Sequence, residues 1–408
     1  MLLKNCRIVG TTDIIEGDIL IKREKIVGIG SKFRDTEEID IKKNYVIPGL
    51  VDIHVHMRDF KNKRKEDFYS GSRAAIAGGV TTFIDMPNSN PPVTDIQTYN
   101  NRIRLASQKS IADFGLNFGV TRDNQKSEIE VEPIAYKIYM DNTLGEIDEK
   151  TIEETIRLRR SVSIHAEEPK LFIGNKRPAS AEVAAVKKIA SLANKYKKKV
   201  HICHVSSQNS LNFFNRYISS EVTPHHLLLT EKLLKEFRGF AKTHPPLRSA
   251  KDTKALWNGL KNGNIQVISS DHAPHEIKDK EGNLDESLGG MSNLDVMLKL
   301  FLTLVNQGRL TLPDLVRWMC NNPARILNIK SKGLIKSGMD ADLVILDMKE
   351  AGKIEVDEFF SKAKYSPFDG QKVIGCIDKV VLRGRIAYEE REIISKKGFG
   401  RPILKSTP

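Results

Sequence analysis

The sequence predicts an α/β fold of the (β/α)8 class, a TIM-like barrel, with a small flanking β-sandwich built from both chain ends. Three observations carry this. From Val51 to about Asn328, short apolar runs alternate with longer helix-like segments, the pattern of βαβ units feeding parallel strands. Eight such runs fill a span suited to a closed barrel, and no Gly-x-Gly-x-x-Gly opens a helix as a doubly wound dinucleotide fold requires. Both ends read instead as short alternating strands broken by glycine and turn residues.

Taken in order, LLKNCRIVG, GDILIKREKIVGIG and EEIDIKKNYVIPG form a β unit over residues 1–48. The barrel, 49–334, takes its strands from VDIHVH, VTTFIDM, ADFGLNFGV, AYKIYM, SVSIHA, KVHICHV, SSEVTP and IQVISSD. Between them, KEDFYSGSRAAIAGG, TIEETIRLRR, SAEVAAVKKIASLANKYKKK and DTKALWNGLKNG read as helices, each ending in basic residues or glycine as a C-terminus prefers. GLIKSGMDADLVILDMKE and KVIGCIDKVVLRGRIAYEE, within 335–408, return to strands. Neither end has enough strands to bury a face alone, so the two share one small domain.

A chain of 408 residues, 40% hydrophobic and 29% charged, with 27 Gly and 16 Pro, lies outside collagen-like and disordered compositions. The net charge of +13 admits nucleic acid, lipid headgroups or small anions as partners. The KYKKK run at 195–199 and the basic tail KKGFGRPILKSTP lack interleaved aromatics, so they read as a solvated helix end and a frayed terminus. Cys6, Cys203, Cys320 and Cys376 show no paired spacing and read as reduced core thiols. MLLKNCRIVGTTDIIEGD meets polar residues before an apolar export segment forms, and no run is long enough to span a bilayer. The expectation is a soluble cytoplasmic protein with no membrane or nucleic-acid partner.

All ten histidines fall between His54 and His275, most of them at strand ends. In a parallel barrel those ends converge on one mouth, so distant imidazoles become neighbours there. His54 and His56 are two apart on one strand and share a face. A lone histidine at a strand end is more often structural, whereas a pair aimed at one point suits a metal. His165 and His204 end later strands, and Asp271 ends the last, offering both a ligand and a proton carrier. By strand parity Cys203 points away from the site if His204 points in, and His201 is structural. Arg58, at the same mouth, calls for a carboxylate or phosphate guest. Lys137 is the odd member, because a lysine facing inward among cations is expelled unless it is neutral or converted to an anion. Read alone, it is equally a surface lysine.

PGLVDIHVHMRD, GGVTTFIDMPNSNPPVTD, YKIYM, SIHAEE, HICHVSS, EVTPHHL, PPLRSAKDTKALW and SSDHAPH, in this order, resemble the dihydroorotase family of the amidohydrolase superfamily. The resemblance implies two zinc ions bridged by Lys137 carboxylated with CO2, His54, His56 and Asp271 holding the more buried ion and His165 and His204 the other. It implies interconversion of N-carbamoyl-L-aspartate and L-dihydroorotate in pyrimidine biosynthesis, with Asp271 moving the proton. Arg58, Asn88 and His275 would hold the substrate carboxylate, with Thr143 of DNTLG on a lid and Leu144 a weaker candidate. Two departures stand out. THPPLR puts His244 where relatives carry a ring-contacting asparagine, bringing its titration toward the pH profile, and LGGMSNLD replaces the usual turn, so that Gly289, Gly290 and Met291 offer backbone contacts. A homo-oligomer and association with aspartate transcarbamoylase complete the partners implied. The rivals are an allantoinase or hydantoinase-type cyclic amidase, which would share every ligand, and an inactive scaffold, which would have lost some.

Overall fold

The structure, a computed structural model, describes residues 1–35, 37–124 and 132–403. Five strands come first: β1 (Leu2–Val9), β2 (Ile14–Lys22), β3 (Lys25–Gly30), β4 (Glu38–Asp40) and β5 (Tyr45–Pro48). The barrel strands follow as β6 (Leu50–Val55), β7 (Val80–Asp85), β8 (Asp113–Gly119), β9 (Ala135–Tyr139), β10 (Val162–His165), β11 (Val200–Ile202), β12 (Ile218–Val222) and β13 (Val267–Ile268). They pair in chain order, each parallel to the next. The ring closes where His56 N–H donates to His272 O at 2.8 Å, beside a parallel Val55–His272 bridge. Both faces of these strands are covered, which is why they read as apolar runs and not as alternation.

Helices α1 (Phe68–Ala77), α2 (Ile96–Lys109), α3 (Glu149–Leu158) and α4 (Ala179–Tyr196) pack outside, with others at 250–262 and 297–306. Asp67, Asp95 and Asp148 cap the first three by accepting backbone N–H groups in the first turn. Phe68 of α1 packs against Phe83 and Phe114, with ring centroids 6.4 and 6.2 Å apart, fastening that helix to β7 and β8.

The chain ends meet in a nine-stranded mixed sheet completed by β14 (Leu343–Lys353), β15 (Lys372–Leu382), β16 (Arg385–Glu389) and β17 (Glu392–Ile393). β5 lies between β14 and β1, so the segment entering the barrel is the seam joining the two ends.

The basic tail departs from expectation. Gly400 N–H donates to Ser110 O at 2.9 Å, Phe114 N–H to Arg401 O at 3.0 Å and Ile403 N–H to Phe114 O at 2.7 Å, so the tail is docked as far as Ile403; residues 404–408 lie outside the described part. The anchor is ionic. Buried Asp113 receives the Lys332 ammonium at 2.7 Å, the Arg401 backbone N–H at 2.9 Å and the Arg383 guanidinium, while Lys332 also meets Asp342 at 2.6 Å. Removing one member of such a cluster strands the others away from water. Asp113→Ala should therefore cost about 3–5 kcal/mol in urea unfolding; a loss below about 1 kcal/mol would show the cluster to be energetically idle.

Candidate metal centre and substrate pocket

His54, His56 and Asp271 bring one ligand atom each within 4.8 Å of one another. Asp271 Oδ1 lies 3.4 Å from His54 Nε2 and 3.2 Å from His56 Nε2. His165 Nδ1 and His204 Nε2 stand 3.0 Å apart, and the His54 and His204 ring centroids are separated by 5.1 Å. Two nitrogens on a tetrahedral zinc lie about 3.3 Å apart, given Zn–N distances of about 2.0–2.1 Å. The donor set thus fits divalent ions. His204 Nδ1 is also buried without a hydrogen-bond partner among the described residues.

Electrostatics agree with that fit. Burial pushes His54 below its ordinary pKa, and burial with neighbouring cations pushes His56 and His204 well below theirs, leaving imidazoles neutral with lone pairs to offer. Burial raises the Asp271 carboxyl. Lys137 is fully buried and points inward, its Nζ 2.8 Å from Cys203 Sγ and 4.9 Å from the Tyr139 ring centroid. No carboxylate lies within ion-pair distance of it among the described residues. An amine so placed is poorly served as an ammonium, and conversion to an anion would relieve it.

The inward Cys203 corrects the parity argument. β11 ends at Ile202 and His204 has φ 35°, so the alternation that separates neighbours along a strand stops before the pair it was applied to. Arg58 (φ 50°) and Asp271 (φ 44°) also adopt left-handed backbone just beyond their strands.

Three of the four imidazoles, all but His204, are steered from behind. His54 Nδ1–H donates to Glu221, which also accepts from His201 Nε2–H at 3.2 Å and Ser269 Oγ–H at 2.9 Å. Burial alone would raise Glu221, but His54 and the hydrogen bonds hold it well below the usual carboxylate range. His56 Nδ1–H donates to Asn88 Oδ1 at 2.6 Å, and His165 Nε2–H to Glu167 Oε2 at 2.9 Å. Such partners fix tautomer and ring direction. Glu221 and Glu167 are absent from the sequence expectations. Their signals were an acid inside the buried strand SSEVTP and one two residues beyond His165.

Of the expected site residues, all but Lys137, Leu144 and Met291 line one cavity of about 350 Å³. Arg58 Nε–H donates to Pro274 O at 3.2 Å, and no carboxylate pairs with the guanidinium among the described residues. Asn88 makes its one side-chain hydrogen bond among the described residues through Oδ1. His275 Nδ1 accepts from Lys65 at 3.2 Å and its Nε2–H donates to Gly289 O at 3.0 Å; burial with Arg58 and Lys65 holds it well below its ordinary pKa. Thr143 reaches the rim, its hydroxyl donating to Asp141 Oδ1 at 2.8 Å, whereas Leu144 lines a different hollow against Phe118 and Thr94. His244 lines the wall, but burial and Arg177 push its pKa down to about 3. It stays neutral across the working range, so its titration does not enter a profile near neutrality. A larger groove of about 750 Å³, bounded by Asp295, Glu350 and Arg391, contains no histidine.

The four cysteines are free, and no helix among the described residues is long and apolar enough to cross a membrane. The amidohydrolase family model matches residues 45–387. The dihydroorotase of Pyrococcus horikoshii is 40% identical over 400 residues, covering 96% of this chain and 93% of that one. The dihydroorotase of Methanothermobacter thermautotrophicus is 36% identical over 423 residues, covering 98% and 96%. Among solved structures, the L-hydantoinase (dihydropyrimidinase) from Arthrobacter aurescens superposes with TM-score 0.93 at 30% identity, covering 98% of this chain and 99% of that one. With the match running through the whole barrel and every strand-end donor in place, this chain belongs to the amidohydrolase family, in the branch that holds the dihydroorotases.

Proposed function

We propose that this chain is a dihydroorotase, a hydrolase that interconverts N-carbamoyl-L-aspartate and L-dihydroorotate. Near-full-length relatives bearing that name support the reading. The observation that carries the substrate is Arg58, a guanidinium with no acid partner among the described residues, in the same cavity as Asn88 and His275. Dihydroorotate keeps a free carboxylate beside its cyclic amide, and Arg58 offers that group a charged fork. Hydantoin-type rings lack it.

His54, His56 and Asp271 would hold one zinc ion and His165 and His204 the second, with Lys137, once carboxylated, as a further ligand. Ions bound there would supply a lowered pKa for water and polarisation of the scissile carbonyl. The chain's own residues do the rest. Arg58 and the Asn88 amide orient the carboxylate, turning the ring amide toward Asp271. Asp271 takes a proton from the attacking water as the new C–O bond forms, then delivers it to the ring nitrogen as the C–N bond breaks. Ring closure runs the same steps backwards. Thr143 closes over the mouth and His244 contacts the ring as a neutral group. The reading extends to a cytosolic homo-oligomer, with a barrel at 49–334 and a flanking unit from 1–48 and 335–408. Association with aspartate transcarbamoylase is checked by co-elution.

Purified, zinc-loaded protein given dihydroorotate, allantoin and dihydrouracil in turn should consume dihydroorotate; turnover of allantoin alone would overturn the assignment. Arg58→Met should raise KM for dihydroorotate about 10- to 100-fold, matching a charge-assisted hydrogen bond worth about 1.5–3 kcal/mol. An unchanged KM would place the carboxylate elsewhere.

A further inference from the structure

One wall of the substrate cavity is backbone. Leu288, Gly289 and Gly290 line it, on the loop that follows the short helix Ile277–Lys280. The turn is fitted closely to its surroundings: a Cβ on Gly289 would lie 2.5 Å from His244 Cδ2, and one on Gly290, whose φ is +148°, would lie 2.3 Å from Ala273 O. Two glycines free of side chains cannot hold such a turn by their own packing.

Leu288 N–H donates to Asp279 O and Gly290 N–H to Lys242 O, both at 2.9 Å, and His275 reaches Gly289 O at 3.0 Å; Lys280 gathers the remaining carbonyls. It is fully buried, and its Nζ donates to Leu288 O at 2.7 Å, Gly290 O at 2.8 Å and Lys242 O at 3.2 Å. Three carbonyls use the full donor capacity of an ammonium. The arrangement is costly: burial, with the Lys242 and Arg58 charges, pushes the Lys280 pKa down to about 7, and no carboxylate lies within ion-pair distance among the described residues. An apolar side chain would fill this space without that penalty. Farther out, Lys242 Nζ–H donates to Leu284 O at 2.6 Å and Asp285 O at 3.2 Å, fastening the exposed part of the same loop.

We propose that Lys280 is a positioning residue for the substrate, its ammonium clamping the carbonyls of Leu288, Gly290 and Lys242 so that the Gly289–Gly290 turn stands preformed as the wall against which the cyclic amide seats. The clamp is an observation about the loop, while its consequence for the ring rests on the dihydroorotase reading. A preformed wall spares the substrate the ordering of that loop, so loss of the clamp falls on KM and not on the chemical step.

Hydrogen exchange and kinetics on the full-length holoenzyme, both read below the Lys280 pKa so that the ammonium is present, test it. In the wild type, the amides of Leu288 and Gly290 should exchange at least about tenfold more slowly than those of 282–286. In Lys280→Met, exchange across 287–291 should rise about tenfold with protection elsewhere and zinc content unchanged, and KM for dihydroorotate should rise about tenfold with kcat within about threefold. Wild-type exchange at Leu288 and Gly290 as fast as at the loop tip would overturn the clamp, and this holds even if the variant fails to fold. Unaltered exchange or unaltered KM in a folded variant would overturn it too. Exchange is read without substrate, so wild-type protein inert toward dihydroorotate would sink the functional reading and leave the clamp standing.

Discussion

Asp271→Asn lowers kcat for dihydroorotate hydrolysis by about 10³-fold, the middle of the range for a positioned proton carrier. Asparagine keeps the size of the side chain but neither takes up a proton nor bears charge. The position is exacting because one oxygen, Oδ1, faces both His54 Nε2 and His56 Nε2, at 3.4 and 3.2 Å. KM should move little, since Arg58, Asn88 and His275 remain in place to hold the carboxylate. Zinc content is measured alongside, and titrating the variant with added zinc separates lost metal from lost proton transfer. A kcat within tenfold of the wild type at saturating zinc would remove Asp271 from the chemistry.

Lys137→Met splits activity from stability. Methionine keeps the unbranched stem as far as Cε and removes the nitrogen. Turnover should fall about 10³-fold or more, together with zinc content, if Lys137 supplies the shared ligand proposed above. The metal-free protein should hold its stability or gain about 1 kcal/mol in urea unfolding, since an apolar side chain replaces a fully buried amine that has no acid partner among the described residues. Ordinary core damage would lower both quantities together. Wild-type zinc content in Lys137→Met would end the case for a bridging lysine.

The barrel was legible because parallel strands covered on both faces leave apolar runs, and eight of them stand in order between helical segments. The imidazoles were legible for a related reason: strand ends share one mouth, so sequence position alone brings His54, His165 and His204 together. Glu221 was not. Whether an acid in a strand is buried depends on its partners, and its partner His54 lies 167 residues away. Cys203 was misplaced because strand alternation was extended across a left-handed residue. The docked tail has the same root: its lysines and arginines suggest solvent, and only the fold reveals Asp113 waiting for Arg383 and the Arg401 backbone.

Closure of the ring through His56 and His272 has a consequence for biosynthesis of the molecule itself. The pairing of His56 with Asp271 spans 215 residues, so a nascent chain halted before Asp271 leaves the ribosome lacks one member of the proposed ligand set however well its earlier strands have assembled. Under the proposed ligand assignment, cation capture then waits on closure of the barrel.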